Sequence, residues 1–152
     1  MNRSIKKGFT LIEMLVVVSI IAILIVVVFE SLDPLRQFRE ARNARRWSHI
    51  NSISIATYRY IIEKGVYPTG VGEQKRQIGT SKTGCSSNCP GAVDTCIDLI
   101  STISDYLPIM PIETNGGTQD KTGYAISKTG VNNVITVTAC SPENGANIFV
   151  MR

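Results

Sequence analysis

The N-terminal part of the chain is far more apolar than the rest. From Phe9 to Phe29 a run of 21 residues is interrupted by polar side chains only at Thr10, Glu13 and Ser19. As an α-helix rising ~1.5 Å per residue, this run would be roughly 31 Å long, which matches the ~30 Å hydrocarbon core of a bilayer. A helix of a soluble protein is rarely apolar on every face over such a length. The pattern therefore predicts a membrane-spanning helix over residues 9–29.

A second helical segment is predicted over residues 30–64. The Asp-Pro dipeptide within Leu32–Pro34 is a favourable N-cap and first-turn pair, so the helix should be interrupted there and then restart. Gly65 fits the end of the second segment after Lys64, because glycine readily adopts the left-handed conformation found at helix C-termini. The prediction is one long N-terminal helix with a membrane-spanning half and a half that packs under a head.

Apolar side chains cover more than half of the circumference of the second segment. They are Trp47, Ile50, Ile53, Ile55, Tyr58, Tyr60, Ile61 and Ile62, and the opposite strip carries Ser48, His49, Ser52, Ala56, Arg59 and Glu63. A helix that covers one small domain needs a narrower apolar stripe. Two interpretations remain: part of the arc packs on neighbouring molecules, or one domain covers all of it. His49 is expected at the surface.

Residues 65–152 predict a small globular head. Val66–Gly91 is rich in Gly, Ser and Thr and predicts a long exposed loop. Asp94 or Thr95 would cap a short helix that runs to about Tyr106. Strand patterns follow at Thr122–Lys128 and Val134–Cys140, with turn residues between them, and a third short strand at Asn147–Met151. The predicted fold class is α+β, with a small antiparallel sheet laid against the long helix.

The formal net charge of +4 does not describe the whole chain evenly. Of the 16 basic side chains, Arg3, Lys6 and Lys7 precede the apolar run, so a chain cut after Gly8 would carry 13 basic and 12 acidic side chains. The basic residues 1–8 therefore read as a leader that stays on the cytoplasmic side of a membrane. The overall basicity is weak evidence for a nucleic-acid partner.

Five arginines form the densest charge cluster of the chain. They are Arg36, Arg39, Arg42, Arg45 and Arg46. They could contact anionic lipid head groups, pair with acidic residues of neighbouring molecules, or bind DNA phosphates. They lack the repeated aromatic interleaving of sites that stack on bases, since Phe38 is the one aromatic residue among them. Interfacial and intermolecular roles are favoured, and nucleic acid is possible but not favoured.

Four cysteines lie beyond the apolar run, at Cys85, Cys89, Cys96 and Cys140. An even number in loop-rich sequence that follows a membrane segment favours two disulfide bonds. Their spacing does not resemble paired zinc ligands, so neither a metal nor another cofactor is predicted. Sequence alone leaves three pairings open. The preferred one joins Cys96 to Cys140, since a strand end should pair with a packed helix, and Cys85 to Cys89.

Glu13 is the most informative residue of the apolar run. A carboxylate within a membrane helix costs about 2.5–3.5 kcal/mol at the helix centre and less near the interface, so it indicates a function and needs a partner. A cut between Gly8 and Phe9 would create an α-amine about four residues away, with poor geometry for a direct pair. In a bundle of staggered copies, the amine of one chain could meet Glu13 of the next.

The segment KKGFTLIEMLVVVSIIAIL resembles the leader and first helix of type IV prepilins and of the related pseudopilins. The resemblance implies that prepilin peptidase cuts after Gly8 and that Phe9 is N-methylated. It also implies that Glu13 neutralises the N-terminus of the neighbouring subunit. The implied partners are copies of the chain, the peptidase, the lipid bilayer, and an inner-membrane assembly platform with its motor ATPase.

The head shows both resemblances to the family and a departure from it. Lys64–Gly70 and Leu107–Pro111 resemble segments of major pseudopilins, many of which carry an acidic calcium loop near the C-terminus. Here Ser141–Gly145 holds a single acid, Glu143, and Asp120 stands alone. A calcium site is therefore not expected, and disulfides could replace such bracing.

The sequence favours a structural protein over an enzyme. There is one histidine and no phosphate-binding or nucleophile motif, so no catalytic constellation is expected. The leading hypothesis is a filament subunit. Its precursor would span the cytoplasmic membrane once with the head outside, and the filament would lie at the cell surface or in the periplasm. The alternatives are a minor subunit that binds DNA or a surface at a filament tip, and a monomeric membrane-anchored binding protein.

Overall fold

Two long helices and a small sheet dominate the protein, for which a computed structural model describes residues 8–31, 33–130 and 133–152. The described elements are α1 (Leu11–Ser31), α2 (Pro34–Lys64), β1 (Arg76–Gln77), α3 (Ile100–Ile103), β2 (Tyr124–Thr129), β3 (Val134–Ala139) and β4 (Phe149–Met151). This order confirms the predicted α+β class. The chain divides into two compact units, one that runs up to Gln37 and one from Phe38 to Arg152. Residues 1–7 of the predicted leader lie outside the described residues.

Helix α2 begins and ends at the predicted signals. Asp33 accepts a hydrogen bond at Oδ1 from the backbone N–H of Arg36 at 3.1 Å, which is the N-cap arrangement. At the other end, Gly65 has a φ of 71° and donates its N–H to the carbonyl of Ile61 at 2.8 Å. A residue with a side chain is disfavoured in that left-handed conformation, so glycine ends the helix here.

The four strands form one antiparallel sheet in the order β1-β2-β3-β4. In β3, Ile135, Val137 and Ala139 are buried and alternate with half-buried residues, as the sequence predicts. These side chains join Ile50 and Ile53 of α2 in a single core cluster. The sheet therefore packs one face against α2, which is the predicted layer arrangement.

The turn between β2 and β3 uses the predicted residues as far as the structure describes it. Gly130 has a φ of 79° and Asn133 a φ of 56°, and these residue types tolerate the left-handed region best. The N–H of Asn133 donates to the carbonyl of Gly130 at 3.2 Å. Val131 and Asn132, which complete the predicted turn, lie outside the described residues.

The prediction of a long exposed loop over Val66–Gly91 was wrong in part. This segment contains β1, and Ile78, Cys85 and Cys89 within it are buried. Ile78 also forms a parallel bridge with Ile97. A two-residue strand has no periodic pattern, so the sequence does not reveal it.

The predicted helix from Asp94 or Thr95 to Tyr106 is reduced to the four residues of α3. The segment before it is extended beside β1, because the N–H of Ile97 donates to the carbonyl of Gln77 at 2.8 Å and the N–H of Gly79 to the carbonyl of Ile97 at 2.9 Å. These long-range hydrogen bonds replace the first turns of the predicted helix.

The preferred pairing of the cysteines was also wrong. The structure joins Cys85 to Cys96 and Cys89 to Cys140, and every cysteine is paired in this way. Because β3 turns Ala139 toward α2, Cys140 points to the other face of the sheet. There Cys89 and Cys140 pack with Ala125 in a second small cluster. The disulfide-bearing segment is therefore attached to the sheet face that does not contact α2.

Candidate functional site

The first turn of α1 is closed by a capping box. The Thr10 hydroxyl lies 3.4 Å from the backbone nitrogen of Glu13, which donates to it. In return, a carboxylate oxygen of Glu13 accepts from the Thr10 hydroxyl at 3.4 Å and from the Thr10 backbone N–H at 3.5 Å. This Thr-x-x-Glu arrangement satisfies backbone donors that a helix otherwise leaves without partners. Glu13 therefore stabilises the start of its own helix, a role that the sequence analysis missed although the motif is readable.

The rest of α1 is suited to a lipid environment. The helix contains one candidate membrane span, Leu11–Glu30, and none of its side chains is buried within the protein. Its one internal hydroxyl, on Ser19, donates to the carbonyl of Leu15 at 2.7 Å and so needs no partner from outside. Glu13 then carries the one ionisable side chain between Thr10 and Phe29.

The predicted processing residues precede the helix and are exposed. Phe9 keeps 78% of its surface, and Gly8 is also exposed. A Cβ added at Gly8 would meet no described atom within 4 Å. The described fold therefore does not itself require glycine at this position.

Helix α2 presents two different faces to its surroundings. One is buried in the head and carries Asn43, Arg46, Ile50, Ile53, Ser54, Ala56 and Thr57. The other exposes Trp47, Tyr58 and Ile62 by 46%, 44% and 67%. At ~100° per residue these three lie within about 60° of each other on the helix. The head thus leaves a strip of the apolar arc uncovered, which contradicts the interpretation that one domain covers all of it.

Comparison with known proteins identifies the N-terminal segment. Residues 3–29 match the family model described as the prokaryotic N-terminal methylation motif, the signature of type IV pilins and pseudopilins. The N-terminal segment of this chain is therefore pilin-like. No curated protein and no solved structure matches it. The match ends at residue 29, so the contacts within the head are the evidence for its structure.

The head is joined to α2 by a buried ion network. The Arg46 side chain is 1% exposed, and its Nε lies 2.7 Å from Oε2 of Glu113, whose side chain is 4% exposed. The Nη1 of Arg46 donates to Asn43 at 2.7 Å and to Glu143 at 3.0 Å. Glu143 is also held by both Nε and Nη2 of Arg42, at 2.7 and 2.8 Å.

This network corrects the prediction for two of the five clustered arginines. Arg42 and Arg46 pair within their own head rather than with lipid or with a neighbouring molecule, whereas Arg39 and Arg45 are exposed. Glu113 is the residue that sequence reasoning missed entirely. It lies 67 positions from Arg46 and has no local motif, so no signal in the sequence joins the two.

The network also holds Glu143, which lies in the loop after β3, in its ionised form. The hydrogen bonds from Arg42 lower the pKa of Glu143 to about 2, and the nearby Arg46 adds to the effect. The Asn43 amide donates to the Glu143 carbonyl at 2.9 Å and accepts from its N–H at 3.1 Å. The single acid of this loop is thus committed to arginine. Among the described residues, no three His, Cys, Asp or Glu side chains are grouped as metal ligands.

His49 lies beside this network and not on the open surface, so that prediction was wrong. It is half-buried, its Nδ1 lies 2.7 Å from the hydroxyl of buried Tyr124, and the two rings meet edge to face. Burial lowers the pKa of His49, while the nearby Glu113 raises it and Arg45 lowers it. The imidazole is therefore neutral near pH 7. The sequence placed His49 on the polar strip because Tyr124, its partner, is 75 positions away.

Proposed function

We propose that this chain is a structural subunit of a type IV pilus or pseudopilus-like filament. In this proposal, prepilin peptidase cuts the precursor after Gly8, Phe9 becomes N-methylated, and copies of the chain polymerise through α1. The observation that carries it is the methylation motif over residues 3–29, with Glu13 as the one ionisable side chain of the apolar run from Phe9 to Phe29. An uncharged glutamine could close the capping box with Thr10, so a protein that only needs an anchor does not need the charge, which costs free energy in lipid.

The Gly8–Phe9 segment supports processing at this bond. Since the described fold leaves room for a side chain at position 8, a requirement for glycine would come from a protease that must approach the backbone closely. The exposed Phe9 would then become the new N-terminus. Its amine would be the nearest cation to the carboxylate of Glu13 and would need a partner as α1 enters an apolar environment.

The geometry of Glu13 supports its role in assembly. In a single chain the carboxylate is engaged by Thr10 through bonds of 3.4–3.5 Å, which are long for charge-assisted hydrogen bonds. A neighbouring subunit's amine would give a closer partner of opposite charge. Burial of the pair would then favour assembly and set the register between copies.

The exposed strip of α2 supports contacts between subunits beyond α1. Trp47 and Tyr58 are aromatic side chains of the kind that is enriched at protein interfaces, and the head leaves them and Ile62 uncovered. We assign this strip to contacts with neighbouring subunits in the filament. The precursor would span the cytoplasmic membrane through α1 with its head outside. An assembly platform and its motor ATPase would then extract it.

The test separates the charge of Glu13 from its capping role. Glu13→Gln keeps a side chain that can close a capping box, whereas Glu13→Ala removes both the box and the charge. We expect both variants to insert into the membrane and both to lose filaments. Sheared material from the parent should begin at methylated Phe9 by mass spectrometry.

Parental filament yield from Glu13→Gln would contradict the pairing proposal, and an intact Met1 in sheared material would contradict the processing proposal. Thr10→Ser is the matched control, because it changes the same turn but keeps the hydroxyl of the box.

A minor subunit at a filament tip is the second candidate. The observation in its favour is the exposure of Arg39, Arg45 and Arg59 along α2, which could contact nucleic acid or an anionic surface. Stoichiometry distinguishes the two, since a major subunit dominates sheared filaments and a minor one is nearly absent. A monomeric membrane-anchored binding protein would instead lack N-methylated Phe9.

A further inference from the structure

The two disulfide bonds of the head are interleaved along the chain. The first cysteine pairs with the third and the second with the fourth, so the bonds span 11 and 51 positions. In consequence, no cysteine pairs with the cysteine that directly precedes or follows it in the sequence. Cys89 is the extreme case, because it lies between Cys85 and Cys96 and yet pairs with the distant Cys140.

Chain statistics favour the wrong pairs in the unfolded head. The probability of closing a flexible loop falls as about the 3/2 power of its length. Cys89 and Cys96 are seven positions apart, so their encounter is about twentyfold more frequent than the encounter of Cys89 with Cys140 over 51 positions. A bond between Cys85 and Cys89 is also local. Either non-native bond consumes one sulfur from each native pair.

The segment from Ser81 to Cys96 has few apolar side chains whose burial could order it before oxidation. Between Ser81 and Cys96 the apolar side chains other than the cysteines are Ala92 and Val93. In the folded head, the buried side chains of this segment are those of the cysteines themselves, since Cys85 and Cys89 are fully buried. Burial of apolar surface therefore does not select the native partners first.

We propose that the head reaches its native pairing by thiol–disulfide exchange catalysed by a thiol–disulfide isomerase, acting before the head closes. This rests on the proposed function, which places the head in an oxidising compartment outside the cytoplasm. Native Cys140 is 7% exposed, and Cys85 and Cys89 are inaccessible. Because exchange requires attack of a thiolate on a disulfide sulfur, the partner meets the open chain and not the finished fold.

The exchange is redox-neutral and balances at each step. From a chain with Cys85–Cys89 and Cys96–Cys140 bonds, the isomerase thiolate attacks Sγ of Cys85 and releases the Cys89 thiolate. Cys89 attacks Sγ of Cys140, which forms the native bond and releases the Cys96 thiolate. Cys96 then attacks Sγ of Cys85 in the mixed disulfide, forms the second native bond and releases the isomerase thiolate.

The test uses the full-length chain in detergent, reduced and unfolded in denaturant. It is diluted into oxidised glutathione with a purified thiol–disulfide isomerase, or with the same enzyme lacking its active-site cysteines. Cleavage before Asp94 under non-reducing conditions separates Cys96 from Cys85 and Cys89, and fragmentation between those two assigns the remaining bond. We expect a majority of non-native pairs without active enzyme, and native pairs at least tenfold faster with it.

Two variants that can form one pair only are the matched controls. Cys85→Ser/Cys96→Ser keeps Cys89 with Cys140, and Cys89→Ser/Cys140→Ser keeps Cys85 with Cys96. Neither can mispair, so active isomerase should leave their rate of thiol loss unchanged whether or not they fold. Equal acceleration of these variants would show oxidase action and overturn the proposal.

A native majority in the parent chain without active enzyme, at an unchanged rate, would also overturn it. The outcome is independent of filament formation. A chain that needs the isomerase but yields no filament with methylated Phe9 would contradict the proposed function alone.

Discussion

The two long helices differ in which side chains they expose and which they bury. Helix α1 exposes all of its large apolar side chains, and the polar groups of Glu13 and Ser19 bond locally, in the box with Thr10 and to the carbonyl of Leu15. Helix α2 instead buries a charged arginine, Arg46, and satisfies it through partners distant in sequence. The first helix is complete as a local structure but needs an apolar environment. The second depends on the tertiary structure of its head.

The two helices therefore depend on different parts of the chain. The features of α1 arise from residues within four positions of each other, so substitutions there should change insertion and assembly with little effect on the head. The features of α2 depend on Glu113 and Glu143, and substitutions there should change the stability of the head first.

The largest expected effect on stability comes from the buried ion pair. Arg46→Ala leaves Glu113 without its arginine partner inside the head, and loss of one partner of a buried pair costs about 3–5 kcal/mol. Arg45→Ala, at the exposed neighbouring position, should change the free energy of unfolding by less than about 0.5 kcal/mol. Urea unfolding of the full chain in detergent, followed by Trp47 fluorescence, measures both. Equal losses would show that the network does not stabilise the head.

The next largest loss in the free energy of unfolding should come from removal of a disulfide bond. The loss should differ between the two bonds because they close loops of different length. Removal of the bond over 51 positions, by Cys89→Ser/Cys140→Ser, should lower the free energy of unfolding by ~4 kcal/mol. Removal of the bond over 11 positions, by Cys85→Ser/Cys96→Ser, should lower it by ~3 kcal/mol. The same urea titration tests the order. A larger loss for the shorter loop would mean that native contacts, and not loop closure, determine the effect.

The parts of the fold that the sequence predicts are those with local signals. The cap at Asp33, the glycine at Gly65 and the alternation through Ile135 to Ala139 each depend on residues a few positions apart. The missed features all join distant positions, such as the bonds of Arg46 to Glu113 and of Cys89 to Cys140. A charge or a thiol has many possible partners at long range, and the tertiary structure selects one.

Cys140 shows which part of the disulfide pairing a local sequence pattern can predict. Strand alternation alone indicates that Cys140 faces away from the side of Ala139, and hence away from α2. That excludes a partner under the helix but does not choose among the other three cysteines. The choice follows from how the segment after β1 crosses the second face of the sheet, which has no periodic pattern in the sequence.

Acid should weaken the head in two steps. Burial lowers the pKa of His49 from its ordinary value of 6.5, so the unfolded chain binds a proton first and stability falls as the pH drops below about 6.5. Glu143 contributes stability that is fully present above its ordinary pKa of 4.5 and is lost as the pH falls toward about 2. Thermal unfolding between pH 8 and 2 should show both steps.

Each step has its own control variant. His49→Asn should flatten the upper part of the profile, and Glu143→Gln should flatten the part below pH 4.5. An unchanged slope in either variant would assign that step to another group.

The smallest expected effect on stability accompanies a large expected effect on assembly. Ile62 is 67% exposed on the strip of α2 that the head leaves uncovered, so Ile62→Gln should change the free energy of unfolding by less than about 0.5 kcal/mol. If neighbouring subunits cover the strip, the same change should reduce filament yield several-fold. Ile109→Gln is the matched control, because Ile109 is 80% exposed elsewhere on the head and loses the same side chain. Equal yields from the two variants would mean that the strip is not a subunit interface, and that assembly depends on α1 alone.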